Sequence, residues 1–251
     1  MDTAGGVGGP LIAVALLGSG VSLRTALWVA VIPGVAALML TFRVREAPKR
    51  ERKPALPTGP VRALPTGFWL VLGAWVLFSL GNSSDVFLLL RSHQLGLSTT
   101  LAILAYALYN SVFSLLAWPL GTLSDRVPRT VVLAGGLAVF GLVYLGFALA
   151  DGAWAVWPLF ALYGVFVAAT DGVSRAWVGD HVPPGLAGTA YGLFAAASGA
   201  ALLVASVTAG LLWSHVSPSA PFWLGAGAAV VGAAAIIVIS GVAGSRRAAA
   251  S

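Results

Sequence analysis

The stretch TVVLAGGLAVFGLVYLGFALA, residues 130–150, runs 21 positions without a charged side chain. A helix of that length is roughly 31 Å long at about 1.5 Å per residue. A bilayer's hydrocarbon core is about 30 Å thick. A barrel strand would show ~10 residues of in-and-out alternation, and this stretch does not alternate. Lipid offers no partners for backbone N–H and C=O groups, so a spanning segment that is not a barrel strand is a helix.

Seven more apolar runs read the same way: residues 4–19, 24–43, 67–90, 99–121, 154–178, 186–212 and 221–244. The expected fold class is therefore an all-α polytopic transmembrane helix bundle with eight spans. Ser98 and Thr99 suit a helix start, and Pro221 suits a first helical turn. The totals agree: 59% of the 251 residues are hydrophobic and 9% are charged, against roughly 25% charged in soluble domains. So few charges do not cover a water-soluble surface. The run at 67–90 contains Asp85, which costs roughly 3 kcal/mol at mid-membrane; its 13 Leu, Val and Phe residues return about 5 kcal/mol in sum and carry the segment into the bilayer. The first run lacks a basic leader region, so no cleavable targeting segment is expected.

Lys and Arg give the orientation. Arg43, Arg45, Lys49, Arg50, Arg52, Lys53, Arg62, Arg126, Arg129, Arg246 and Arg247 fall on one side, and Arg24 and Arg91 on the other. The positive side is expected in the cytoplasm, with both termini, at the plasma (inner) membrane. The net charge of +6 gathers largely in one connector, so nucleic acid is not an expected partner. There is no cysteine, hence no disulfide and no thiolate metal site. No metal or other cofactor is expected.

Residues 44–66 hold six basic residues, two acids and five prolines and form a hydrophilic linker. The division follows: 1–43 with two spans, 44–66 as linker, 67–245 with six spans, and a tail at 246–251. The six spans divide into three plus three. The first of each trio carries an acid at a similar depth, Asp85 and Asp171, on helices running in opposite directions. Inverted repeats with polar groups near the midplane are a signature of secondary transporters.

Gly121-Thr122-Leu123-Ser124-Asp125-Arg126-Val127-Pro128-Arg129-Thr130 resembles the G-x-L-[SA]-D-R-x-G-R-[RK] loop of the major facilitator superfamily. Val182 to Gly192, with Gly188, Thr189 and Gly192, resembles the family's V-P-P-E-L-R-G-T-A-x-G at the start of helix 11. Gly5 to Pro10, with Gly5, Gly9 and Pro10, is similar to the G-x-x-x-G-P core of an antiporter-associated motif on helix 5. The resemblance covers the whole chain and maps its spans to helices 5–12. It implies absent helices 1–4, from a misplaced start or a truncated gene. The sequence departs from the family at Pro128, Thr130, Gly185, Ala187, Ala13 and Val14.

The resemblance implies that Asp125, in a cytoplasmic loop with Gly121, Arg126 and Arg129, clamps a domain interface that breaks as the protein opens inward. By pseudo-symmetry its target is the start of the first span, near Thr3 to Gly6. Arg126 and Arg129 are expected to pair with acids such as Asp180. The plainer reading is a tight turn with positive-inside anchoring.

Asp171 and Arg175 are four apart, so they share a helix face and can pair. Direct transport chemistry and mutual neutralisation are both open. Asp85 has no partner within a helical turn. It suits a proton-coupling carboxylate, or an acid in water at the outer mouth. Asn82, Asn110, Tyr106, Tyr109 and Tyr191 line a solute path or serve as interhelical hydrogen-bond glue. No catalytic constellation is present, so an enzyme is not expected. The expected function is alternating-access transport of a small solute, secondary active and in one version proton-coupled efflux, with lipid, solute and protons as partners. The alternative is a non-transporting remnant that acts only through assembly with other membrane chains.

Overall fold

The computed structural model describes residues 2–43 and 59–248. Most of the 44–66 linker lies outside the described residues, including Arg45, Lys49, Arg50, Arg52, Lys53, Pro48, Pro54 and Pro57. The end of the tail and the side chains of Arg246 and Arg247 lie outside them too. The helices are α1 (Asp2–Gly18), α2 (Leu23–Arg43), α3 (Thr66–Ser79), α4 (Val86–Gln94), α5 (Thr99–Arg126), α6 (Arg129–Leu149), α7 (Val156–Gly179), α8 (Ala187–His215) and α9 (Ala220–Ala248). No strand occurs among the described residues. The fold is an all-α bundle of membrane-spanning helices. By length and composition, the helices at Thr99–Arg126, Arg129–Leu149, Ala153–Gly179, Pro184–His215 and Ala220–Gly241 each suffice to cross a bilayer.

The run at 67–90 is not one helix but two, α3 and α4, separated by residues 80–85. Gly81-Asn82-Ser83-Ser84-Asp85 is the cause. Asn, Ser and Asp side chains compete for the backbone, and glycine carries the largest entropic penalty in a helix. The open backbone still needs partners inside a membrane, and α8 supplies one: the Ser84 amide donates to Ser206 Oγ at 3.1 Å.

The segment before α6 also differs from expectation. Asp125 and Arg126 lie in the last turn of α5 and not in a loop. The helix stops because Pro128 forces Val127 into extended backbone, at φ −119° and ψ 161°. At its other end Ser98 caps α5, its Oγ accepting from the Leu101 amide at 3.3 Å. Pro221 sits in the first turn of α9, as its fixed φ allows.

Lipid gives no hydrophobic drive for helices to associate, so close packing must hold them. α5 packs on α7, α6 on both α7 and α9, α1 on α5, and α3 on α8 and α9. The α5–α7 crossing depends on Gly164, where an added methyl would lie 2.6 Å from the Tyr109 carbonyl. Phe140 stacks on Tyr144 at 3.9 Å and meets Phe78 edge-on at 4.9 Å. Phe147 stacks on Phe222 at 5.6 Å. These aromatic contacts tie α3, α6 and α9 into one core. A cavity with polar walls lies between α3, α7 and α8.

Candidate functional site

The break at 80–85 points in two directions. Asp85 faces a group of tyrosines. Tyr163, in α7, donates its hydroxyl to Asp85 Oδ1 at 2.6 Å. Tyr106, in α5, reaches Oδ2 at 3.5 Å, a much weaker contact. The ring of Tyr109 lies between them, 5.0 Å from Tyr106 and 5.1 Å from Tyr163. The acid without a partner on its own helix thus has one on each of two others. Arg91 does not pair with it: its Nε and Nη2 donate to the Phe147 and Ala150 carbonyls at 3.1 and 3.0 Å. This satisfies the free carbonyls at the end of α6 with a cation, as a helix C-terminus favours.

Asn82 faces the other way, into a cavity of 310 Å³ between α3, α7 and α8. The Asp171–Arg175 pair lines the same cavity, with Arg175 Nη2 donating to Asp171 Oδ1 at 2.8 Å. Both remain accessible, Asp171 at 46% and Arg175 at 65% of their side-chain surface. Asn82 Oδ1 and Ser198 Oγ are buried without a hydrogen-bond partner. An unpaired buried polar group costs about 1–3 kcal/mol, and the two share this one space. Trp75 and Phe194 form its apolar wall, with ring centroids 5.9 Å apart.

The arginine-rich end carries the third group. Arg129 Nε lies 3.3 Å from Asp180 Oδ2, and its Nη2 lies 3.6 Å from Asp125 Oδ1. The start of α6 is thereby tied to the end of α7. Arg126 is exposed. Gly121 lies within α5 with open space beside it. Among the described residues Asp125 pairs with Arg129, and the side chains of Thr3 and Ala4, in its expected target, lie outside them. A methyl on Gly6 would lie 3.1 Å from Asn110 Oδ1, which puts the start of α1 against the middle of α5. Asp125 lies 15 residues beyond Asn110, about 22 Å along the helix axis.

The other expected positions scatter. Gly5 and Gly9 are exposed with nothing beside them, so Gly6 is the contact glycine of α1. Pro10 lies within α1. Asn110 Nδ2 donates to the Tyr106 carbonyl of its own helix at 2.9 Å. Gly188, Thr189 and Gly192 open α8. There Thr189 Oγ1 donates to the Gly59 carbonyl at 2.9 Å, pinning the end of the linker. A methyl on Gly179 would lie 2.7 Å from the Tyr191 hydroxyl, so this ring end packs on the α7 terminus.

Sequence reasoning missed Tyr163, Trp75, Phe194 and Ser198. A signal existed for Tyr163, because a membrane-embedded carboxylate requires a partner and Tyr163 is a hydroxyl-bearing ring in the run that also holds Asp171. The other three carried no comparable mark.

Comparison with known proteins points one way. Residues 78–249 match the model of the Major Facilitator Superfamily. An uncharacterized MFS-type transporter of Methanocaldococcus jannaschii is 31% identical over 245 residues, covering 95% of this chain and 61% of its own length. Uncharacterized proteins of Mycobacterium bovis and Mycobacterium tuberculosis are 30% identical over 213 residues, covering 80% of this chain and 51% of their lengths. The chain therefore spans between half and two thirds of the curated relatives it matches. A bundle of lipid-crossing helices and this match over most of the sequence lead to one conclusion: the chain belongs to the major facilitator superfamily.

Proposed function

We propose that the chain forms the larger part of an alternating-access, secondary active transporter, and that its solute occupies the cavity between α3, α7 and α8. The observation that carries this reading is the broken helix at 80–85. It turns Asn82 into the cavity and Asp85 onto Tyr163. Discontinuous helices in transporters present such polar groups near the bilayer midplane. Arg129, held between Asp125 and Asp180, is the proposed latch at the arginine-rich end. By the positive-inside rule that end faces the cytoplasm, with both termini, in the plasma membrane.

Proton coupling belongs to the same proposal. Asp85 is the carboxylate offered for it, with Asp171 as the second. The test is solute flux in proteoliposomes under an imposed pH gradient. It is run on the chain by itself and on a chimera completed with the unmatched part of the Methanocaldococcus relative. Saturable flux is expected from the chimera. Flux absent from both overturns transport. Unchanged pH-driven flux in Asp85→Asn and Asp171→Asn removes proton coupling alone.

A further inference from the structure

We infer that the cavity between α3, α7 and α8 takes a small zwitterion with an apolar or aromatic body, such as an amino acid. This rests on the cavity being the solute site of a transporter.

The walls dictate the chemistry. They carry one acid and one base, Asp171 and Arg175, and no other charge. A solute bearing a single charge satisfies one of them and adds a net charge to a space inside the membrane. A solute bearing both charges pairs with both and leaves the complex neutral. The existing pair leaves room for this. Its hydrogen bond uses a single N–H of Arg175 and one oxygen of Asp171. The guanidinium has five donors and the carboxylate two acceptor oxygens. Arg175 therefore suits a carboxylate, which it can hold through two parallel N–H donors.

The two unpartnered atoms extend the match. Asn82 Oδ1 can only accept, which suits an ammonium beside Asp171. Ser198 Oγ is free to donate to a carboxylate. Both residues line the cavity, and both atoms lie unpaired just beneath its surface, so each meets a solute by rotation of its own side chain. The opposite side is apolar, formed by Trp75 and Phe194. At 310 Å³ the cavity lies at the small end of ligand sites, which run ~300–1,000 Å³.

The experiment is isothermal titration of the purified chain in lipid nanodiscs with four probes: phenylalanine, phenethylamine, 3-phenylpropionate and glucose. Phenylalanine is expected to bind at least about tenfold more tightly than each of the others, two charge-assisted contacts outweighing one. In Arg175→Gln the advantage over phenethylamine disappears, and in Asp171→Asn the advantage over phenylpropionate disappears. Ser198→Ala weakens phenylalanine several-fold and keeps the ion pair. Equal binding of the amine, tighter binding of glucose, or no binding of phenylalanine overturns the inference. The comparison among probes on the unaltered chain decides this even if a charge variant fails to fold. Phenylalanine binding without flux in any liposome would sink the transport reading and leave the ligand class standing. Flux of a sugar or a lone cation would do the reverse.

Discussion

Tyr163 donates its hydroxyl to Asp85 across 2.6 Å, so the break between α3 and α4 is held from within α7. A hydrogen bond to a charged group contributes about 1.5–3 kcal/mol in soluble proteins, whereas interhelical bonds in a membrane average nearer 0.6. Tyr163→Phe is expected to lower stability by about 1–2 kcal/mol, between those limits. Tyr106→Phe, removing a contact of 3.5 Å, is expected to cost under about 0.5 kcal/mol. Thermal unfolding in detergent, followed by tryptophan fluorescence, measures both. Equal losses would show that the short contact does not hold the break.

The helices themselves were legible because lipid imposes a length and an apolar composition that few other environments demand. The break was not. An insertion free energy summed over residues 67–90 hides it, since thirteen Leu, Val and Phe residues outweigh any local feature. Helix propensity over Gly81 to Asp85 alone would have exposed it. Asp171 and Arg175 were legible as a pair because four-residue spacing fixes a face. The Asp85–Tyr163 contact joins positions 78 apart in sequence, and no periodicity encodes it. For the expected Asp125 contact, pseudo-symmetry names a partner helix and not the depth at which the two meet.

The glycines of α9 are not equivalent. A methyl on Gly225 would collide with the Tyr144 ring and lie 2.9 Å from the Gly81 carbonyl. A methyl on Gly81 would collide with the Ala228 side chain and lie 3.2 Å from the Gly225 backbone. Gly227 has open space. Gly81→Ala and Gly225→Ala are each expected to cost about 1–3 kcal/mol through overpacking, and Gly227→Ala almost nothing. The same unfolding assay applies. A stable Gly225→Ala protein would mean that the helices pass less closely than the structure shows.

Arg129 meets two acids unequally. Asp180 lies 3.3 Å away and is 49% exposed, while Asp125 lies 3.6 Å away and is 70% exposed. Pairs accessible to water contribute little, about 0.2–1 kcal/mol. A double-mutant cycle of Arg129→Gln with Asp180→Asn is expected to show coupling within that range, and the cycle with Asp125→Asn a smaller value. A larger coupling to Asp125 would move the latch onto the end of α5. The effect of Arg129→Gln on flux in the completed chimera should exceed its effect on stability, because a latch shifts the balance between two open states and leaves the core packing intact.

The count of crossings can be read chemically, since the chain contains no cysteine and any introduced one reports alone. Arg62 and Trp154 are both exposed, and between them lie α3 with α4, then α5, then α6. If α3 and α4 together make one crossing, three crossings separate the two sites and they face opposite sides. Arg62→Cys should then react with a membrane-impermeant maleimide only in inverted vesicles, and Trp154→Cys only in intact cells. The reversed pattern would overturn the orientation drawn from the Lys and Arg distribution and leave the crossing count intact. Labelling of both from the same side would mean that α3 and α4 fold back on themselves, which would remove the broken spanning helix on which the transport reading stands.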